Sequence, residues 1–305
     1  MTAAVARPPR RRRREFTPLY LLLPAGVVLV ALTAWPLAQL LIMSFQEFGR
    51  AQIFGAAPEF IGFQNYIDVL TDMEFWAVLA RSVLFCLVCV AATMLLGVLI
   101  AVLMTKLGRG FRNLVSIGLI LAWAMPALTA SVVWGWMFDT QYGVVNFLLS
   151  AAGLDFEGHS WFIEPLSFFF VAAIVITWQA IPFVALTTYA SLTQVPEDVL
   201  EAAALDGATG LQRFRHVVVP QVSGVLLVLL VLQIIWDMRV FAQIYALQTI
   251  GGIAAETNTI GVYIYKVSIG NGQLGAGGAI SVILVLLMLA LSAYYLRTIL
   301  RTEPS

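Results

Sequence analysis

The sequence predicts an all-α integral membrane protein with six transmembrane helices. Hydrophobic residues make up 61% of the 305 positions and charged residues only 11%, and mean hydropathy is +0.91. A soluble domain could not stay solvated at that composition. In addition, apolar runs of about 20 residues or more, the length that crosses a bilayer, recur along the chain with short polar intervals between them.

Residues Met1 to Glu15 hold Arg7 and Arg10 to Arg14 with two prolines, which predicts a mobile basic tail, because nothing in it can bury a core. The run from about Leu19 to Phe45 is too long for the apolar part of a signal peptide and lacks a small-residue cleavage site. It is read as the first retained span. Further spans are expected at roughly Trp76 to Thr105, Leu114 to Phe138, Leu166 to Leu192, Val217 to Leu247 and Ala276 to Leu296. Residues 16–305 therefore read as a single transmembrane domain. No internal repeat is evident.

Lys and Arg in short loops set orientation. With the N-terminus inside, Arg7, Arg10 to Arg14, Lys106, Arg109, Arg112, Arg213, Arg215, Arg297 and Arg301 fall on the cytoplasmic side, thirteen of the 17 basic residues. Arg50 and Lys266 remain outside, and Arg81 and Arg239 lie near span ends, where long side chains snorkel. Both termini are thus expected in the cytoplasm. Trp76, Trp134, Trp136 and Trp161 fall at the expected outer boundary, where amphipathic rings settle. Cys86 and Cys89, inside an apolar run, read as small buried side chains, since no further Cys or His cluster accompanies them.

Several chemistries are missing. Lysine occurs only at 106 and 266, and neither closes a G-x-x-x-x-G-K-[ST] phosphate cradle, so the chain is not expected to hydrolyse ATP by that route. His159 and His216 are isolated, without metal-ligand spacing. No nucleophile elbow or H-E-x-x-H helix occurs. No catalytic residue, metal site or bound cofactor is assigned. The one dense basic run is a positive-inside anchor rather than a nucleic-acid patch.

The interval from Pro196 to Pro220 is polar yet rich in helix formers, interrupted by Gly207 and Gly210. In the six-span topology it is a folded cytoplasmic element between two spans. Glu201, Ala202 and Ala203 are separated by three residues from Gly207, and nine further residues separate Gly207 from Val217-Val218-Val219-Pro220. Small residues let a short helix approach a partner closely, and Gly207 permits a sharp turn. Asp206 is placed to cap a second helix, Glu201 to pair with a basic group, and Pro220 to start the next span. This spacing resembles the EAA loop of ABC importer permeases, with Val for Ile at 217 and Val for Leu at 219. Trp178-Gln179 with Ile181-Pro182-Phe183, the Pro196-Glu197 approach, Asn146 with Leu148-Leu149, and Gly62-Phe63 with Asn65-Tyr66 are similar to the carbohydrate-type group of maltose and glycerol-phosphate importers.

That resemblance implies a type I ABC importer permease in the cytoplasmic membrane, one half of a pore. Glu201, Ala202, Ala203, Asp206, Gly207 and Pro220 would form the coupling loop. It implies a second permease subunit, an ATPase dimer carrying ATP and Mg, and an extracytoplasmic solute-binding protein as partners. The expected cargo is a sugar, a di- or oligosaccharide. Glycerol phosphate or another non-sugar solute is the alternative within this machinery. An ATPase-independent channel or secondary transporter is the alternative of another class, and it leaves the loop spacing unexplained.

Polar residues within spans are costly and point to the solute path or to helix packing. Trp178 and Gln179, ahead of Pro182, offer a stacking surface and an amide. Gln233, Asp237 and Phe241 recur at four-residue spacing and would share a helix face. Asp237 lies about 26 Å beyond Pro220 at 1.5 Å per residue, near the outer end, with Arg81 and Arg239 as alternative partners. Pro126 predicts a kink in the third span.

Overall fold

Within a bilayer every backbone N–H and C=O must be satisfied by the chain itself, which favours continuous helices. The computed structural model describes residues 17–302, and their regular secondary structure is helical apart from one pair of two-residue strands. The basic tail over residues 1–15 lies outside the described residues. The first span is built from α1 (Thr17–Leu29), a π-helical turn (Val30–Ala34) and α2 (Trp35–Ser44). Strands β1 (Gln46–Glu47) and β2 (Glu59–Phe60) pair antiparallel around α3 (Arg50–Ile53), and α4 (Gln64–Thr71) leads into the second span, α5 (Met73–Lys106). Asp72 caps α5 by accepting from the Glu74 N–H at 2.8 Å, and Lys106 in the last turn complements the helix dipole.

The chain continues through α6 (Arg109–Ala124), α7 (Ala127–Met137), α8 (Val144–Ala151) and the fourth span α9 (Pro165–Leu192). After α10 (Glu197–Leu205) and α11 (Gly210–Arg213), a π-helical turn (Phe214–Val218) runs directly into α12 (Val219–Met238). On the opposite side lie α13 (Ala242–Ile250), α14 (Ala254–Thr257) and α15 (Ile260–Tyr265). A last π turn (Lys266–Gly270) precedes α16 (Leu274–Thr302).

Among the described residues five helices are long and apolar enough to cross a membrane, and the count reaches the expected six when α6 and α7 are taken together as one broken span. The kink expected at Pro126 is a bend of 101°. Proline removes a donor and forces the preceding residue out of the helical region, and Met125 is extended at ψ 127°. Pro182, by contrast, sits inside α9 without breaking it.

One expectation is corrected here. The fifth apolar run, read as one stretch from Val217 to Leu247, ends as a helix at Met238 and restarts at Ala242. Neither glycine nor proline occupies the break. It is held from outside, where Thr259 Oγ1 donates to the Val240 carbonyl at 3.3 Å. Trp161, just ahead of α9, is 9% exposed and packs into the core. Its indole N–H donates to Asn146 Oδ1 at 2.6 Å, so its polar edge is satisfied internally.

The centre of the bundle is α5 packed along α9. Phe85, Cys89, Phe168, Val171 and Val175 form one buried cluster there with Ile244 and Leu247 of α13. Gly97 permits the closest approach, since a Cβ at that position would lie 2.6 Å from Val184 Cγ1. Cys86 and Cys89 are buried free thiols, as read from the sequence. The first span is exposed along nearly its whole length and touches the bundle chiefly where α2 meets α16.

Candidate functional site

Two places hold most of the residues nominated from the sequence: the loop between α9 and α12, and a recess at the broken helices. In the loop, Glu197 and Asp198 occupy the first turn of α10, where acidic side chains meet the positive end of the helix dipole. Its far end closes on Gly207, whose φ of +80° lies in the left-handed region. The Gly207 N–H donates to Ala204 at 3.1 Å and the Ala208 N–H to Ala203 at 3.1 Å, so the last carbonyls of the helix are satisfied.

Asp206 does not cap the second helix. It is the C-terminal cap residue of α10, and Thr209 caps α11 instead. Gln212 N–H donates to Thr209 Oγ1 at 3.4 Å while Thr209 N–H donates to Gln212 Oε1 at 2.7 Å. Pro220 does fall in the first turn of α12, but the helix has no fresh start there. The π turn before it widens the ladder where proline supplies no donor, so helix runs on from Gly210 to Met238.

The faces of α10 are distinct. Leu200 and Ala203 are half-buried toward the bundle, whereas Asp198, Glu201, Ala202 and Leu205 are exposed at helical spacing. Leu205 is 90% exposed. A large aliphatic side chain is thus presented fully beside a carboxylate and an alanine.

The recess has a volume of about 390 Å3 and is lined by residues of α6, α9, α12 and α13. Gln179, Gln233 and Asp237, all nominated from the sequence, come together in it. Phe241 joins them from beyond the end of α12, so its four-residue spacing does not reflect a shared helix face. Trp178 is not in the recess. It projects from α9 at a different angle and packs edge-on against Trp134 with ring centroids 5.7 Å apart.

Gln233 and Asp237 are 1% and 5% exposed. Gln233 Nε2 donates to Asp237 Oδ1 at 2.9 Å, which leaves Gln233 Oε1 and Asp237 Oδ2 buried without a donor. Neither Arg81 nor Arg239 pairs with this carboxylate. Arg81 Nη1 donates to the Asn258 carbonyl at 3.1 Å, and among the described residues the ion pair is Lys266 with Glu74 at 3.0 Å. Gln179 is held from both sides, donating to the Met125 carbonyl at 2.8 Å and accepting from Gln243 at 3.0 Å. It thereby anchors the break of the third span and also faces the recess.

Sequence reasoning missed Trp123, Trp236 and Gln243 in the lining, and named Arg239, which also lines the recess, only as a partner for Asp237. Phe183 bridges the two tryptophans, stacked on Trp123 at 6.4 Å and tilted against Trp236 at 5.1 Å. The partial signal was the proximity of Trp236 to Asp237 in sequence. Which side of an apolar-all-round helix an indole takes is not written in its period.

An α-helical membrane domain that pairs a protruding contact helix with a half-open polar recess is the build of a transport subunit driven from outside itself. The chain belongs to the family described as "binding-protein-dependent transport system inner membrane component", whose profile matches residues 93–302. It is therefore a multi-pass permease component of an ABC importer, a transport subunit without an ATPase site of its own. It is 41% identical to the diacetylchitobiose uptake system permease protein of Streptomyces coelicolor, across 96% of this chain and 89% of that one. It is 33% identical to the sulfoquinovosyl glycerol transport system permease protein of Agrobacterium fabrum, across 93% and 90%. Identity is also 33% to the trehalose/maltose transport system permease protein of Thermococcus litoralis, across 78% and 79%. In fold it matches a chain of a bacterial ABC transporter involved in import of the acidic polysaccharide alginate. The TM-score there is 0.82 at 18% identity, over 95% of this chain and 97% of that one.

Proposed function

We propose that this chain forms one wall of the pore in an ATP-driven importer of a di- or oligosaccharide. The observation that carries the reading is the pair of bare acceptors, Gln233 Oε1 and Asp237 Oδ2, in a recess walled by Trp123, Trp236 and Phe241. A buried acceptor without a donor costs about 1–3 kcal/mol, so the recess favours a solute that brings donors. Sugars bring hydroxyl donors for the acceptors and apolar ring faces for the aromatic walls. The relatives named for diacetylchitobiose, sulfoquinovosyl glycerol and trehalose/maltose uptake support the same substrate class.

In this reading a second permease closes the open side of the recess. The exposed face of α10 docks on an ATPase dimer, which holds the ATP and Mg that this chain is not proposed to bind. A solute-binding protein delivers sugar at the end of the bundle opposite α10. A solved alginate transporter in complex with a pentasaccharide-bound periplasmic protein has a chain of this fold, with a TM-score of 0.79. ATP-driven closure of the ATPase dimer would move α10, and with it the spans around the recess, between inward- and outward-facing arrangements.

The test is ATP hydrolysis by the assembled complex in proteoliposomes, with its binding protein and a panel of solutes. Stimulation by a di- or oligosaccharide is expected. Stimulation by glycerol phosphate or a polyamine, with none by any sugar, would replace the substrate assignment. Equal solute flux through this chain alone would remove the ATP-driven reading altogether.

A further inference from the structure

Beneath the coupling loop, where α5 and α9 end, lies a cavity of about 710 Å3. Leu192 of α9, Leu200 of α10, and Phe214 and Val218 of the π turn make its walls apolar. Its charged residues are Lys106, the last residue of α5, and Arg213, the last of α11, with no Asp or Glu in the lining. Neither cation has a carboxylate within ion-pair distance among the described residues. Arg213 Nε is buried and lacks an acceptor.

A free anion would answer the two cations but leave the apolar walls against water. A hydrocarbon alone would fill the cavity and leave Arg213 unsatisfied. Only a molecule with an anionic head and an aliphatic tail meets both demands. The cavity also sits at the ends of two spans, the level at which a bilayer presents its phosphates. The geometry points to a binding site for an anionic phospholipid, its phosphate on Lys106 and Arg213 and an acyl chain against Leu192, Phe214 and Val218. Because Leu200 belongs to α10, the bound lipid forms part of the seat of the coupling helix.

Native mass spectrometry of the full chain, released from detergent containing equal dioleoyl phosphatidylglycerol and dioleoyl phosphatidylcholine, tests the site. Each cation at the membrane surface is worth roughly fivefold in anionic-lipid binding, so the anionic lipid should be retained about 25-fold in preference. Lys106→Gln and Arg213→Gln should each lower its retention about fivefold. Gly210→Leu should lower it as well while keeping both cations, since Gly210 lines the cavity and a Cβ there meets nothing within 4 Å. Thermal unfolding in lipid-free detergent identifies the variants that fold; Lys106 is exposed, so its variant decides even if the others fail. Equal retention of the two lipids, or undiminished retention in the folded variants, overturns the proposal. A thermal shift with inorganic phosphate alone as large as that with the anionic lipid overturns it in favour of a free-anion site.

Discussion

Asp237 has one carboxylate oxygen on Gln233 and the other bare, so a change there separates solute binding from folding. Asp237→Asn keeps the shape but weakens an acceptor. Hydrogen bonds to charged groups contribute about 1.5–3 kcal/mol, so the half-saturating solute concentration should rise by about tenfold or more. Uptake by proteoliposomes over graded sugar concentrations measures it, and an unchanged value would take Asp237 out of the solute path. Gln179 behaves differently, because it also satisfies the Met125 carbonyl. Gln179→Ala should lower the unfolding free energy by about 1–3 kcal/mol, whereas Gln243→Ala, which leaves Met125 paired, should cost less. Equal stability of all three proteins would show that the amide does not anchor the break.

At the scale of elements, the coupling loop rests on its glycine. A non-glycine residue in the left-handed region costs roughly 1–2 kcal/mol, and a β-branched one crowds the turn further. Gly207→Val should reorient α10 and uncouple hydrolysis from transport, seen as ATPase activity without uptake or as loss of ATPase on co-purification. Wild-type uptake by this variant would end the coupling assignment. Leu205→Asp makes the complementary case: the side chain is 90% exposed, so the fold should survive while ATPase co-purification falls. Unimpaired co-purification would place the contact face elsewhere on α10.

These elements were unequally legible in the sequence. The turn at Gly207 and the place of Pro220 in the first turn of α12 could be read because glycine and proline act locally, within a residue or two, whereas the helical run through Pro220 from Gly210 could not. The bend at Pro126 was legible for the same reason, though neither its size of 101° nor the hold that Gln179 of another helix takes on the Met125 carbonyl was. The break after Met238 was not legible at all: no glycine or proline marks it, and the hydrogen bond that meets it comes from Thr259, nineteen residues beyond Val240 on another element. Thr209 was passed over for Asp206 because both are good capping residues, and only the backbone path through Gly207 decides which one precedes α11. Membrane helices that are apolar all round keep no periodic record of their inward face. The sequence therefore located Gln233 and Asp237 by their polarity and missed Trp123 and Trp236.

At the scale of the whole molecule, the continuous helix from Gly210 to Met238 joins the two candidate sites, with the coupling loop at one end and Asp237 at the other. At 1.5 Å per residue its ends are roughly 40 Å apart. Spin labels at Gln212 and Met238 should therefore keep a constant separation through the ATP cycle. Labels at Met238 and on the outer part of α9 should change theirs; the reverse pattern would mean that the π turn folds up and the helix does not move as one body. The assembly behaves as a lever with a long arm: a tilt of about 5° at the loop end carries the far end by roughly 3.5 Å, more than a hydrogen bond can stretch. A small angular stroke at the base thus suffices to make or break polar contacts between the tip and the neighbouring helices, while the Gln233–Asp237 bond, internal to the helix, travels with it.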